Sequence, residues 1–123
     1  MSYVDGFVLP IKKENVGAYT EIAGKMSKIW VEHGALEYKE CVLEDPTESE
    51  WCITFNQLAQ PKEEETIVFA YIVYKDRAHR DAVNAKVMED PRVKDACAPE
   101  NSPFDCKRMA YSGFKSIVEA KLN

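Results

Sequence analysis

The stretch TIVFAYIVYKDRAHRDAVNAKVMEDPR, Thr66 to Arg92, decides the fold. It opens with eight consecutive apolar or aromatic residues, Ile67 to Tyr74. They are rich in β-branched and aromatic types and too few for a buried helix, so they read as a central strand with little exposure on either face. Asp76 then caps a helix, Ala78, Ala82 and Ala85 predict that this helix lies close to a sheet, and Asp90-Pro91 ends it. Strand followed by helix is one half of a βαβ-type unit.

Upstream lies the other half. Tyr3, Asp5, Phe7 and Leu9 alternate with Val4, Gly6 and Val8, and Pro10 closes a first strand that is apolar on both faces. From Asn15 to His33, apolar residues recur at three- and four-residue spacing through Tyr19, Ile22, Ala23, Met26, Ile29 and Trp30, predicting an amphipathic helix that Gly34 terminates. Ala35 to Leu43 alternates again, as a second and more one-sided strand. Glu44 to Glu65 is a long connection with a short helix capped at Thr54, and connections of that length inside a compact domain often serve as lids or interface arms. Downstream, Arg92 to Phe104, with Pro99 and Pro103, reads as an ordered loop. A last strand follows from Lys107 to Phe114, then a short helical or frayed tail from Lys115 to Asn123.

The order is β-α-β-β-α-β, an α+β fold of ferredoxin-like type with a four-stranded antiparallel sheet and both helices on one face. At 123 residues the chain makes one domain, residues 1–123, with no internal repeat or linker. Two helices cover one sheet face, yet the first and third strands are apolar on both, so the second face calls for a cover that a symmetric homodimer would supply. Sixteen basic against 21 acidic residues give a net charge of −5, which repels a phosphate backbone and argues against nucleic acid as a partner. No apolar run approaches the ~20 residues that a bilayer requires, and the N-terminus has no basic region or cleavage site, so neither a membrane nor secretion is expected and the cytoplasm is. Cys41, Cys52, Cys97 and Cys106 form no CxxC pair and only His33 and His79 accompany them; they read as reduced thiols, with no metal site and no cofactor fingerprint.

The segments YVDGFV (Tyr3 to Val8), GAL with the later EC (Gly34 to Leu36, Glu40 and Cys41), ETIVFAYI (Glu65 to Ile72), RDAVNAKVMEDPR (Arg80 to Arg92) and SPFDCKRMAYSGF (Ser102 to Phe114) resemble the YbaA-like bacterial family of unknown function. The resemblance spans nearly the whole chain and departs from the family pattern at Ser102 and Cys106. It implies the dimeric α/β-barrel version of the ferredoxin-like fold, which is also used by cofactor-free monooxygenases, muconolactone isomerase-like enzymes and stress-response barrels. Fold alone transfers none of these activities.

Asp5 and Glu40 are carboxylates among apolar neighbours on alternating strands, and each requires a partner. Arg108, on the strand expected beside the first, is a candidate for Asp5, and Arg80 for Glu40 or Asp105. As an alternative to a structural ion pair or dimer contact, either carboxylate could act as a general base. His33, at the end of the apolar stripe of the first helix, is the preferred histidine for acid–base chemistry in a cleft between helix and sheet. Arg80, Asp81 and Asn84 run along one helical face, which could dock the proline-bearing loop and shape a pocket mouth. Tyr38, Tyr71, Tyr111, Trp30 and Trp51 supply aromatic surface for an apolar cavity. The catalytic candidates are therefore His33, Asp5 and Glu40, and the ligand-binding candidates Tyr38, Arg80, Asn84, Asp105 and Arg108. Two functions remain open: a homodimeric small-molecule-binding or stress-associated protein, or a cofactor-independent monooxygenase- or isomerase-like enzyme acting on a small aromatic or enolisable compound.

Overall fold

A computed structural model of the chain describes residues 1–96 and 102–122. Four strands, β1 (Tyr3–Lys12), β2 (Glu37–Val42), β3 (Glu65–Tyr74) and β4 (Ala110–Lys115), form one antiparallel sheet in the order β2-β3-β1-β4. The uninterrupted apolar run is β3, and it pairs along its whole length with β1, from Tyr3 opposite Tyr74 to Lys12 opposite Glu65. Strand β1 does not stop at Pro10. The Ile67 carbonyl accepts from the Leu43 N–H on the β2 side, so Ile67 and its partner Pro10 are a non-hydrogen-bonded pair. The missing Pro10 donor therefore faces the other side, where β4 pairing has already ended at Val8.

Helices α1 (Val16–Glu32) and α3 (Arg77–Glu89) lie on one face of this sheet, and α2 (Phe55–Ala59) and α4 (Pro91–Ala96) are short. Gly34, after α1, has φ +117°, a conformation open to glycine at little cost. Thr54 caps α2 through a reciprocal pair with Gln57, and the Asp76 side chain accepts from the His79 N–H at the start of α3. Three expectations need correction. The alanines Ala78, Ala82 and Ala85 face solvent, because Val83 and Val87, one turn apart, form the buried stripe of α3. Residues 91–96 are helical: proline fits the first helical position, where its absent N–H has no bond to make. The remainder of the expected Arg92–Phe104 loop, with Cys97 and Pro99, lies partly outside the described residues. Residues 116–122 contain no helix; Glu119 instead accepts from both the N–H and the hydroxyl of Ser2, at 2.6 Å each.

The buried core falls into two clusters. Met26, Ile29, Ile72, Tyr74, Val83 and Val87 pack between α1, α3 and the sheet, and Leu9, Ile11 and Val68 pack under Val16, Tyr19, Phe104 and Met109. On the opposite sheet face, α2 sets Phe55 edge-on to Phe69 (5.9 Å between centroids), and nearby Ile67 is buried, while Phe69 and Phe114 stay exposed. Arg108 closes the turn before β4 onto the start of β3, with Nη1 2.7 Å and Nη2 2.9 Å from the two Glu65 carboxylate oxygens. That pairing, then the Lys62 N–H, draws the Glu65 carboxyl down to about 2. An ordinary unfolded glutamate titrates near ~4.3, so the pair stabilises the fold above that pH and its contribution is lost as pH falls towards 2. Urea unfolding of Arg108→Met against the parent is expected to show a stability gap at pH 7 that narrows on acidification to pH 3; a gap that widens would contradict the pairing.

Candidate functional site

A cavity of about 700 Å³ lies between the sheet, α1, α3 and residues 102–107, lined by members of both core clusters. The alternation of β1 places Asp5, Phe7 and Leu9 on its floor, and that of β2 adds Tyr38 and Glu40. Helix α1 contributes Tyr19, Met26 and Trp30, and α3 contributes Asn84 and Met88.

Glu40 is held by phenols. Tyr19, from α1, donates to Oε1 (2.6 Å), and Tyr38, two residues away on the same strand face, donates to Oε2 (2.7 Å). Burial first, and the Glu40 carboxylate beside them, push both hydroxyls well above the ordinary tyrosine value, so at neutral pH they remain donors. Among the described residues Glu40 has no ion-pair partner.

Asp5 is the contrasting carboxylate. It is 1% exposed and accepts from Arg80 Nη1 at 2.6 Å, while the same nitrogen donates to the Tyr111 hydroxyl (2.9 Å) and Arg80 Nε donates to Asp81 (2.8 Å). The guanidinium also lies over the Tyr3 ring, 4.9 Å from its centroid. Gly113, opposite Asp5 in the β1–β4 pair, makes room for this stack: a Cβ there would meet the Tyr3 hydroxyl and sit 2.9 Å from Arg80 Nη1. A third network joins Trp30 Nε1 to the Tyr74 hydroxyl (3.1 Å) and Asn84 Oδ1 (3.2 Å), and Tyr74 donates to the same oxygen (3.2 Å). Because an indole N–H only donates, the atom it faces must be the amide oxygen, and Asn84 itself lines the cavity.

The expected pairings are therefore redistributed. Arg80, not Arg108, serves Asp5; Arg108 serves Glu65; and Glu40 takes no arginine. The reason is the register, which brings Arg80 over the Asp5–Gly113 pair while Arg108 sits in the turn before β4. His33 does not line the cavity. It follows the last turn of α1 and pairs through Nε2 with Asp90 Oδ2 (2.9 Å), a carboxyl that Arg92 and then His33 hold well below the usual range. Asp105 lines the rim and caps the following turn through the Lys107 N–H (3.0 Å). Pro103 is docked not by the Arg80 row but by Asn15, whose Nδ2 donates to its carbonyl (3.0 Å). Trp30, Tyr38 and Tyr111 line the cavity as expected of aromatic surface, whereas Tyr71 points to the other sheet face and Trp51 is exposed. Tyr19 was not singled out; its place in an apolar stripe with a hydroxyl that must find a partner was the available signal.

The family described as "Protein of unknown function (DUF1428)" matches residues 2–106. The chain belongs to the DUF1428 family. Curated relatives include the uncharacterized protein YbaA of Escherichia coli K12 and that of Shigella flexneri, each 40% identical over 119 residues, covering 97% of this chain and 99% of theirs. Among solved structures, an uncharacterized NIPSNAP domain protein from Burkholderia xenovorans superposes with a TM-score of 0.61 at 14% identity, over 97% of this chain and 98% of that one. A dimeric ferredoxin-like protein from an uncultured marine organism gives 0.56 at 16% identity, over 99% and 100%. At those identities the shared property is the fold. In this DUF1428 chain, Arg80→Met should lose about 3–5 kcal/mol in chemical denaturation by stranding Asp5, with part of the loss recovered in Asp5→Asn/Arg80→Met. Gly113→Ala, which drives a methyl into the Tyr3–Arg80 stack, should cost about 1–3 kcal/mol in the same assay, and no loss would mean that the stack is not held against the strand.

Proposed function

We propose that this protein is a homodimeric, cytoplasmic small-molecule-binding protein whose ligand occupies the cavity between the sheet and helices α1 and α3. The observation that carries the reading is the cavity itself, about 700 Å³ and walled mainly by apolar and aromatic side chains with a few polar groups converging on it. That is the usual build of a ligand site, and a core of this size is otherwise filled by side chains. Glu40, Tyr38 and Asn84 are the binding groups, with Asp105 at the rim; Arg80 acts by holding Asp5 and Tyr111 in the wall. Arg108 and His33 support the surrounding turns. The free thiols of Cys41, Cys52 and Cys106 are exposed, in keeping with a reducing compartment.

The homodimer reading rests on the second sheet face, where Phe69 and Phe114 are exposed, and on the exposed apolar side chains Trp51, Ile53 and Leu58 of the connection beside it. A second copy facing this surface is the simplest cover under closed symmetry, and one structural neighbour is itself described as dimeric. One observation favours the enzyme reading: Glu40 is a titratable group on an open cavity wall and a candidate base for an enolisable compound.

Light scattering at several protein concentrations is expected to give twice the chain mass, and Phe114→Glu to give the single mass with the fold retained; a monomer throughout would overturn the facing-sheet assembly. A fragment screen by protein-observed NMR is expected to perturb signals of Trp30, Tyr38 and Met88 together. Shifts confined to the surface connection would remove the cavity as the ligand site.

A further inference from the structure

Resting on the reading of the cavity as a ligand site, we propose that its ligand is an organic cation, an ammonium group carried on an aromatic or other apolar body, with the N–H groups held by Glu40. The inference starts from the pairing of the other sequestered carboxylates. Asp5 has Arg80 at 2.6 Å, Glu65 has Arg108 at 2.7 Å and Asp90 has Arg92 at 2.8 Å. Glu40, half-buried in the same molecule, has two neutral phenols and no cation among the described residues. Each of its oxygens carries one hydroxyl hydrogen bond, which leaves acceptor capacity on both. A carboxylate in an apolar wall without a counter-charge is a place where an incoming cation gains most.

The rest of the wall agrees. Glu40 with Tyr19 and Tyr38 also borders a second cavity of about 270 Å³ between α1 and β2, so the clamp stands as a partition with space on either side and is not packed shut. The Trp30 and Tyr38 rings lie 6.0 Å apart at the cavity, and Tyr19 meets Phe104 edge-on at 5.6 Å, giving aromatic faces of the kind that attract ammonium groups. Among the described lining residues Lys107 is the one cation, and it is exposed at the rim, away from the apolar wall that holds Glu40. Arg80 does not line the cavity and is committed to Asp5 and Asp81, and the backbone N–H of Lys107 is bonded to Asp105 on the same rim.

The test uses three probes with one body: 2-naphthylmethylamine, protonated at pH 7; the neutral donor 2-naphthalenemethanol; and the anion 2-naphthoate. By calorimetry or protein-observed NMR, the amine should bind at least about tenfold tighter than the alcohol and the naphthoate weakest, as expected for a charge-assisted hydrogen bond. Glu40→Gln, checked for fold by circular dichroism, should weaken the amine about tenfold and the alcohol by less than about threefold. If that variant does not fold, the parent decides: amine affinity should fall with added salt while alcohol affinity stays level. Alcohol or naphthoate binding as tightly as the amine overturns the cation assignment and leaves the cavity as a ligand site. None of the three binding, with a fragment screen also silent at Trp30 and Tyr38, overturns the ligand site itself.

Discussion

The placement of one buried charge governs much of this structure. Asp5 sits on a central strand at 1% exposure, where an unpaired carboxylate would be untenable. Its partner Arg80 comes from α3, so the ion pair ties that helix to the sheet at the Asp5–Gly113 position. Several other features follow. Gly113 has no side chain because the Tyr3 ring and the Arg80 guanidinium lie against its strand, and Tyr111 turns its hydroxyl to the same nitrogen. One turn along α3, Asn84 reaches Trp30 and Tyr74, which links α1 to the same arrangement. Polar bonds at this end, and the Leu9–Ile11–Val68 cluster under Tyr19 and Phe104 at the other, hold the helices over a floor that side chains do not fill.

The sheet has a second face, and the chain treats its two ends differently. At the Ile67 end, the capped turn of α2 sets Phe55 edge-on to Phe69, and Ile67 is buried while Phe69 stays partly open. At the Phe114 end nothing among the described residues does the same. A connection that covers half a face and carries Trp51, Ile53 and Leu58 outward fits an arm that meets another surface better than it fits a lid on its own sheet. The proposed sheet-face assembly would leave the cavity untouched, since that lies across the sheet on the helix side. The proposed assembly and the proposed ligand site therefore lie on opposite faces of one sheet.

The elements were legible where a single local signal dominated. The eight-residue apolar run, the Asp76 cap, the glycine after the first helix and the Thr54 cap each translate directly into backbone hydrogen bonds or a required φ. Pro10 misled because its effect depends on which side of the strand its nitrogen faces, a property of register and not of the residue. Pro91 misled for a related reason, as a stop for one helix and a start for the next. The alanine row of α3 looked like a packing face because small residues permit close approach, but Val83 and Val87 outweigh it in apolar area. For the site, alternation alone placed Tyr38 and Glu40 on one face of their strand and Asp5 with Phe7 and Leu9 on one face of another; the pairing of both strands with β3 puts the two sets on the same side of the sheet. The choice of which arginine reaches which carboxylate depended on tertiary register, and the sequence offered three carboxylates and two arginines with no rule to pair them.

Fold likeness to a NIPSNAP domain protein or to a dimeric ferredoxin-like protein carries no chemistry with it, so the distinction between binding and reaction rests on the cavity wall. There the division of labour is narrow. Asp5 is occupied by Arg80, and His33 is away from the cavity with Asp90. The Tyr19 and Tyr38 hydroxyls, pushed up by burial and by Glu40, remain protonated and are already donating, which disqualifies them as bases at neutral pH. Glu40 is thus the acceptor best placed for the proposed ligand: of the described wall carboxylates, Asp5 is paired, Asp105 is exposed at the rim, and Glu40 alone is half-buried without an ion-pair partner. Its two short bonds come from different elements, α1 and β2, and they fix the position of the carboxylate while leaving lone pairs exposed. A carboxylate so anchored needs no rearrangement to serve the proposed ligand site. For the same group to act as a base, the occupant would have to bring its labile proton to within hydrogen-bond reach of an oxygen that both phenols already restrain.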